Sequence, residues 1–390
     1  MSNKKICIIS QFYPNGDDMI FSFVDQLVCQ FADIGCECTV ITPKNAFGTA
    51  HVMEDRVRVT PGGNKIKIFC PKYHSYPHRK IGSFDTYRMT MSSYYKAVKS
   101  AFKKYVGTAD IIYAHFLNPS GIAAAMLGRD FDIPAYVACG ESSLEPHKFA
   151  YKLYADVIKN NINGIIAVSS MLYREIRELK LLHEPENIIV VPNAVNLELF
   201  NAETKNEARK KLGFDENDFI IVFVGHFIER KGFKTLIDAA KMSEDWKCIF
   251  IGSENNTESV TYDKTLFRGR LSHDKLGTYM SASDVFVLPT RAEGCCNAII
   301  EALASKLPVV SSDLPFNDDI LDESCSIRIN PESEKEVFDA VEKLRMNKVL
   351  CEKMSNAALK KAQTMSIQNR AERILDFMFG SRRMNDDNII

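Results

Sequence analysis

The chain opens on a short apolar run, Lys5 to Ser10, which ends in the loop Gln11–Asp18 carrying Pro14 and Gly16. Phe23, Leu27, Val28 and Phe31 then recur at helical spacing over about Ile20 to Ile34, Gly35 stops the helix, and Cys38–Thr42 is apolar again up to Pro43. Strand, helix and strand in that order predict a βαβ unit and so a parallel sheet. The pattern recurs with strands at Ile111–Tyr113, Pro134–Ala138, Gly164–Val168 and Ile188–Val191, and helices at Pro119–Arg129 and Ser169–Lys180. After Phe200 the polar stretch 201–218 interrupts it. A second series follows, with strands at Phe219–Gly225, Lys247–Gly252, Asp284–Pro289 and Pro308–Ser311, and helices at Gly232–Ala240, His273–Ala282 and Asn297–Ser305. A last strong helix covers about Ile367–Phe379. These elements predict an α/β protein of two doubly wound, Rossmann-like halves, residues 1–198 and 199–366, with the helix at 367–380 packing back on the first. Ligands of such sheets sit off the carboxyl ends of the strands, so the loops after strands are where chemistry is sought.

Composition narrows the class. A chain of 390 residues, 46 % hydrophobic, with 49 Lys+Arg against 50 Asp+Glu, is an ordinary globular protein and long enough for two generous domains. A net charge of −1 argues against a wholesale nucleic-acid partner. Eleven cysteines without a CxxC pair form neither a disulfide framework nor a zinc site. Cys7, Cys70, Cys139 and Cys248 lie in apolar runs and read as core residues, and Cys36 and Cys38 share a face by alternation. Reduced thiols suit a cytoplasmic protein. Lys4-Lys5 is followed by too short an apolar run for a signal peptide, and no run approaches the roughly 18 residues of a membrane span. The expectation is a cytoplasmic protein, at most peripheral at the inner face of the membrane. Asp130-Phe131-Asp132 falls between a helix end and a buried strand, and neither a metal nor a cofactor is expected.

Absent motifs remove whole chemistries. No G-x-G-x-x-G follows a strand, and Ser10-Gln11-Phe12-Tyr13-Pro14 cannot make the tight pyrophosphate turn of a nicotinamide enzyme. Neither G-x-x-x-x-G-K-[ST] nor G-x-S-x-G occurs, which disfavours a P-loop ATPase and the usual hydrolase elbow.

Two constellations remain. In Val285–Pro308 a buried strand ends at Pro289, a loop carries Glu293-Gly294, and a helix starts near Asn297. The free amides of Cys296, Asn297 and Ala298 at that start suit an anion, and Gly294 lets a phosphate come close. Glu301, one turn in, is flanked by Ile299, Ile300, Ala302 and Leu303, a costly place for a charge without a partner. The second constellation, His226 to Gly232, follows Gly225 and sets Arg230 and Lys231 before a helix, a fork and a point charge suited to a diphosphate.

Val224, Gly225, Lys231 and Gly232 (V-G-x-x-x-x-x-K-G), paired with Glu293 to Ala302 (E-G-x-x-N-x-x-x-E-A), resemble the retaining glycosyltransferases of family 4. The resemblance spans nearly the whole chain. Val190–Val195 is similar to the family's interdomain signature, and 109–121 to the strand ending in its active-site His. It implies the GT-B fold, two Rossmann-like domains facing across a cleft, and transfer of a sugar from a nucleotide sugar to a hydroxyl with retention and without a metal. Lys231 and Arg230 would bind the donor diphosphate, Glu301 the ribose hydroxyls and Glu293 the donor sugar. The amides of 296–298 would cap the phosphate, and Arg270 would lie by a base that family frequency makes uridine. His115 would sit at the reacting centre, and Glu141 and Gly16 on the acceptor side. His226 stands where the family has Arg, so Arg230 would supply that charge; Asn15-Gly16-Asp17-Asp18 replaces a Gly-Gly pair and favours acceptor contacts. The implied acceptor is a glycan or lipid-linked hydroxyl in cell-surface polysaccharide or glycolipid synthesis. Other readings stay open: a sugar-nucleotide epimerase, a glycogen-synthase-like enzyme, or a silent sugar-binding subunit of another transferase.

One stretch breaks the even charge. Residues 71–106 carry Lys72, Arg79, Lys80, Arg88, Lys96, Lys99, Lys103 and Lys104 against one acid, Asp85, interleaved with Tyr73, Tyr76, Phe84, Tyr87, Tyr94, Tyr95, Phe102 and Tyr105. This reads either as docking on an anionic membrane surface or as a solvated helix face whose aromatics enter the core.

Overall fold

The computed structural model describes residues 4–14, 21–47, 55–82, 84–200, 203–253 and 261–380. The chain packs as two units. One runs to Val168 and includes Leu172–Val191 and the helix from Gln368 onward; the other comprises Ser169–Met171 and Pro192–Ile367.

The first unit is built on an eight-stranded sheet in the order Ile188–Val190, Gly164–Ala167, Ala135–Cys139, Ile111–His115, Lys5–Ser10, Glu37–Ile41, Lys65–Phe69, Arg56–Val59. Only the last pair is antiparallel. Lys5–Ser10 is central and covered on both faces, which is why Ile6, Cys7, Ile8 and Ile9 form an unbroken apolar run. One strand in from the edge, Lys65–Phe69 alternates instead, with Ile66 and Ile68 buried and Lys65 and Lys67 exposed. Helix Ile122–Phe131 begins later than the spacing predicts. Asn118, held at φ −116° and ψ 125°, precedes Pro119 and is barred from the helical region, so an irregular turn over Leu117–Gly121 comes first. Cys70 is half-buried beside Arg56 rather than in the core.

The basic aromatic stretch contains helix Thr86–Ala101, capped by Asp85, which accepts from the Tyr87 N–H at 2.9 Å. Tyr87, Met91, Tyr94, Tyr95 and Val98 form its buried stripe, and Phe102 continues it. Lys72, Arg79, Lys80, Arg88, Lys96, Lys103 and Lys104 are exposed, and Lys99 pairs with Asp130. The aromatics are therefore mainly core and the cations mainly solvated. Helix Ile367–Phe379 supports the far side of this sheet: Phe377 packs edge-on to Tyr136, and Arg370 Nη1 donates to the Val191 carbonyl at 2.5 Å.

The second unit has six strands, all parallel, in the order Thr265–Gly269, Trp246–Ile251, Phe219–Val224, Val285–Leu288, Val309–Ser312, Ser326–Ile329. Helices Glu334–Met346 and Lys348–Thr364 follow; Asn347 divides them, its side chain accepting from the Leu350 N–H at 3.0 Å. Trp246 stacks on Phe338 with ring centres 5.4 Å apart and donates from Nε1 to Glu342.

In each sheet the strand order reverses at one place. In the first unit it lies between Lys5–Ser10 and Ile111–His115; in the second, between Phe219–Val224 and Val285–Leu288. Two neighbouring strands whose connections leave in opposite directions open a crevice at their carboxyl ends. In the second unit Gly232 makes that crevice tight. At φ 71° it lies so close to Pro289 that a Cβ would stand 1.9 Å from the carbonyl oxygen. Gly213 has nearly the same φ, 72°, with nothing within 4 Å. Gly213→Ala is therefore expected to cost about 1 kcal/mol, the left-handed penalty alone. Gly232→Ala adds a backbone clash and is expected to cost more than about 3 kcal/mol. Urea unfolding of the two variants measures the difference.

Candidate functional site

Strand Phe219–Val224 runs into Gly225 and His226, and a single turn over Glu229–Lys231 brings Lys231 back over the crevice. The neighbouring strand Val285–Leu288 leads through Pro289 to Thr290 and Glu293. A backbone bond ties the two loops, the Arg291 N–H donating to the Arg230 carbonyl at 2.8 Å. Lys231 Nζ then bonds Glu293 Oε1, with both side chains only 13 % and 12 % exposed. Thr290 Oγ1 lies 3.0 Å from the same oxygen. Arg230 Nη1 donates to the Ala292 carbonyl at 2.5 Å and stands 4.0 Å from Glu293 Oε1. A half-buried ion pair survives only when extra hydrogen bonds offset desolvation, and here they converge on one carboxylate oxygen. Glu293 Oε2 takes no bond from a described residue.

More positive charge gathers here. Burial, and then the charges of Lys231, Arg270 and Arg230, hold the His226 pKa below its usual value. His226 is thus a neutral hydrogen-bonding group, its Nδ1 2.7 Å from Ser253 Oγ. Gly225 passes beside the Lys231 stem, 3.6 Å from where its Cβ would be. Gly294 and Cys296 are buried, and helix Asn297–Ala304 starts with no side chain capping its amides. Asn297 Oδ1 is buried without a partner among the described residues. One turn on, Glu301 Oε1 accepts from His273 Nε2 at 3.0 Å. Burial pulls the His273 pKa down, but the Glu301 hydrogen bond and charge, with help from Asp274, leave it raised. A helix start opposes a cation by only about 0.3–1 kcal/mol, less than the roughly 1.5–3 kcal/mol of a hydrogen bond to a charged group.

The first unit places a different chemistry at its own crevice. His115 ends a central strand, 1 % exposed, and burial, followed by the charge of Arg370, lowers its pKa to about 3. It is a neutral imidazole whose Nε2 has no partner among the described residues. A Cβ on Gly140 would lie 3.7 Å from that nitrogen. Next to it, Glu141 Oε1 accepts the Leu117 N–H at 2.7 Å, and Oε2 is buried without a partner among the described residues. Burial raises the Glu141 pKa to about 7, against the pull of backbone N–H groups including Leu117. Gly16 lies outside the described residues.

Comparison with known proteins decides the class. The family model for glycosyl transferases group 1 matches residues 204–361, and that for glycosyltransferase family 4 matches 21–199. The chain belongs to the family 4 glycosyltransferases. It is 27 % identical to TuaC of Bacillus subtilis (strain 168), named for teichuronic acid biosynthesis, over 86 % of this chain and 88 % of that protein. It is 26 % identical to an Escherichia coli UDP-Gal:alpha-D-GlcNAc-diphosphoundecaprenol alpha-1,3-galactosyltransferase, over 74 % and 78 %. Among solved structures, sucrose-phosphate synthase of Thermosynechococcus elongatus shares the fold at TM-score 0.74 and 18 % identity, covering 95 % of this chain and 97 % of that one. Anabaena HepE in complex with UDP gives 0.72 at 15 %, covering 95 % and 98 %. The fold is thus GT-B, as the motif resemblance implies.

In this family 4 glycosyltransferase, the second unit brings Gly225, Arg230, Lys231, Arg270, Glu293, Gly294, the 296–298 amides and Glu301 to the carboxyl end of one sheet. The first unit brings together His115 and Glu141. Sequence reasoning missed His273, which lies 28 positions before its partner and carries no local motif.

Glu141 gives the first unit a pH dependence. Below about pH 4.5 its carboxyl is protonated both folded and unfolded. Above that the unfolded chain ionises while the folded one keeps its proton up to about pH 7, so stability falls as pH rises through this window and then levels off. Glu141→Gln removes the effect. Relative to wild type, the variant is expected to gain on the order of 3 kcal/mol between pH 4 and pH 8, read from urea unfolding at each pH.

Proposed function

We propose that the enzyme transfers a glycosyl group from a nucleoside diphosphate sugar, with uridine as the base, to a hydroxyl of a glycan or lipid-linked acceptor, in polysaccharide or glycolipid synthesis. The anomeric configuration is retained and no metal takes part. One observation carries the reading: Lys231, Arg230, Arg270 and an uncapped helix start surround a crevice where two glutamates each keep one oxygen that no described residue binds. The names of relatives support the substrate classes, a UDP-galactose donor and a diphosphoundecaprenol-linked acceptor in the E. coli protein, and UDP bound to HepE.

Departure of the nucleoside diphosphate builds negative charge on its bridging oxygen. Donors already in place there stabilise it without reorganisation. Lys231 and Arg230 supply the cations and the amides of Cys296 to Ala298 the helix dipole. Glu293 has Oε1 committed to Lys231 and Thr290, which suits it to accept sugar hydroxyls through Oε2 rather than to attack the anomeric carbon. Retention then follows from attack on the face the phosphate leaves, with the departing phosphate taking the acceptor proton. His115, neutral at any physiological pH, serves as a hydrogen-bonding group at the transferred sugar.

The exposed cations between Lys72 and Lys104 suit an anionic membrane surface near such an acceptor, each worth about 1 kcal/mol close to it. No described helix is long and apolar enough to cross a membrane.

Lys231→Ala and Glu301→Ala are each expected to weaken binding of the hydrolysable nucleotide sugar by more than about tenfold, measured by calorimetry after a hydrolysis panel identifies the donor. Unchanged affinity in both overturns the site. Sedimentation with phosphatidylglycerol vesicles tests the surface: binding at low salt that 0.5 M salt abolishes supports it, and absence of binding at low salt refutes it.

A further inference from the structure

Glu301 has an unusual support. It rises from helix Asn297–Ala304 among buried Ile299, Ile300, Ala302 and Leu303, and its one protein partner among the described residues is His273, at 3.0 Å. Both side chains are nearly covered, 14 % exposed for His273 and 15 % for Glu301. A carboxylate only accepts, so His273 Nε2 carries the hydrogen between them in either charge state. Nothing from the described residues reaches Glu301 Oε2.

His273 is itself fixed. It is the first residue of helix His273–Ser281, and the Phe200 ring packs edge-on against it with centres 5.5 Å apart. That helix cannot slide away from the Phe200 segment without opening a tight contact, because a Cβ on Gly277 would lie 2.4 Å from the Leu199 carbonyl oxygen. Phe200 and Glu301 therefore hold the imidazole from two directions. A glutamate on an open helix face samples several rotamers, and each one lost on binding weakens the ligand. This one enters binding with Oε1 tethered and Oε2 presented.

We propose that His273 is a positioning residue for donor recognition: it pins Glu301 Oε1 so that Oε2, with the remaining lone pair of Oε1, meets the vicinal diol of the donor's pentose. The inference rests on the reading above that Glu301 receives the ribose. It requires His273 to act on the diol alone, not on the diphosphate or on bond cleavage.

The test compares UDP, GDP and ADP with the 2′,3′-dideoxy form of whichever wild type binds most tightly, by calorimetry on the full chain. Glu301→Ala tests the underlying reading: it is expected to bind the ribo ligand no better than wild type binds the dideoxy one. If it keeps wild-type discrimination, or wild type binds none of the three, that reading fails and this inference with it. His273→Phe keeps the ring and removes the donor. It is expected to lose about tenfold for the ribo ligand and under about twofold for the dideoxy ligand. His273→Gln, whose amide reaches the same position, restores most of the loss. In turnover, His273→Phe raises the donor KM with kcat nearly unchanged. Equal loss on both ligands, absence of any loss, or no recovery in His273→Gln overturns the positioning role while leaving Glu301 in place. Thermal unfolding is run on each variant; if His273→Phe does not fold, His273→Asn, whose shorter amide falls short of Glu301, takes its place with the same expectations.

Discussion

The second unit turns on one ion pair. Lys231 and Glu293 come from loops after adjacent strands, and their bond closes the crevice that the reversal of strand order opens. Two nearly covered charges are expensive to remove from water, and the cost is met locally. Thr290 lies against the same carboxylate oxygen, the Arg291 N–H fastens the loops at the backbone, and Gly232 lets the Lys231 turn press on Pro289. The helix bearing the free amides and Glu301 starts four residues beyond Glu293, so its placement follows from the same closure.

The two units meet the cost of buried polarity in opposite ways. The second holds full charges, and each glutamate at its crevice is tied to a basic side chain, Lys231 or His273. The first holds groups that burial keeps uncharged: His115 with its pKa near 3, and Glu141 protonated up to about pH 7. An unpaired neutral group costs about 1–3 kcal/mol, whereas an unpaired buried ion costs several more. That difference explains why His115 Nε2 and Glu141 Oε2 stand without partners among the described residues while Lys231 and Glu293 do not. Orphaned neutral atoms beside a crevice are what a ligand with many hydroxyls can satisfy.

Legibility in the sequence followed burial. Central strands such as Lys5–Ser10 and Phe219–Val224 are covered on both faces and stand out as unbroken apolar runs. The edge strand Arg56–Val59 and its neighbour Lys65–Phe69 alternate with basic residues, so they carry no unbroken apolar run and only the alternation signals them. Thr265–Gly269 and Ser326–Ile329 lie at the edges of the second sheet and carry no unbroken apolar run, and the helices Glu334–Met346 and Lys348–Thr364 bury one face only. The tyrosines at 87, 94 and 95 fall with Met91 and Val98 on one helical face, a pattern that marks core more strongly than their interfacial character marks membrane. Glu293, Glu301 and Lys231 could be found because they sit in short fixed spacings. His273 could not, because its meaning comes from a pairing across two helices.

His226 shapes how the crevice balances charge. Packed near Lys231, Arg270 and Arg230, a cation at 226 would meet like charge on several sides; the histidine yields by staying neutral and turning Nδ1 to Ser253. Arg230 is 45 % exposed at the rim with one amino group committed to the Ala292 carbonyl, which on the proposed reading leaves the rest of the fork for the donor phosphate. Lys231, Arg230 and Arg270 against the carboxylates of Glu293 and Glu301 still leave the crevice net positive before any helix contribution, the sign a diphosphate requires. On the proposed reading the ion pair has two roles. It orders Lys231 in advance, and when a phosphate arrives the lysine shares its hydrogens with the new anion, so Glu293 can turn toward the sugar without being stranded as an unpaired buried charge.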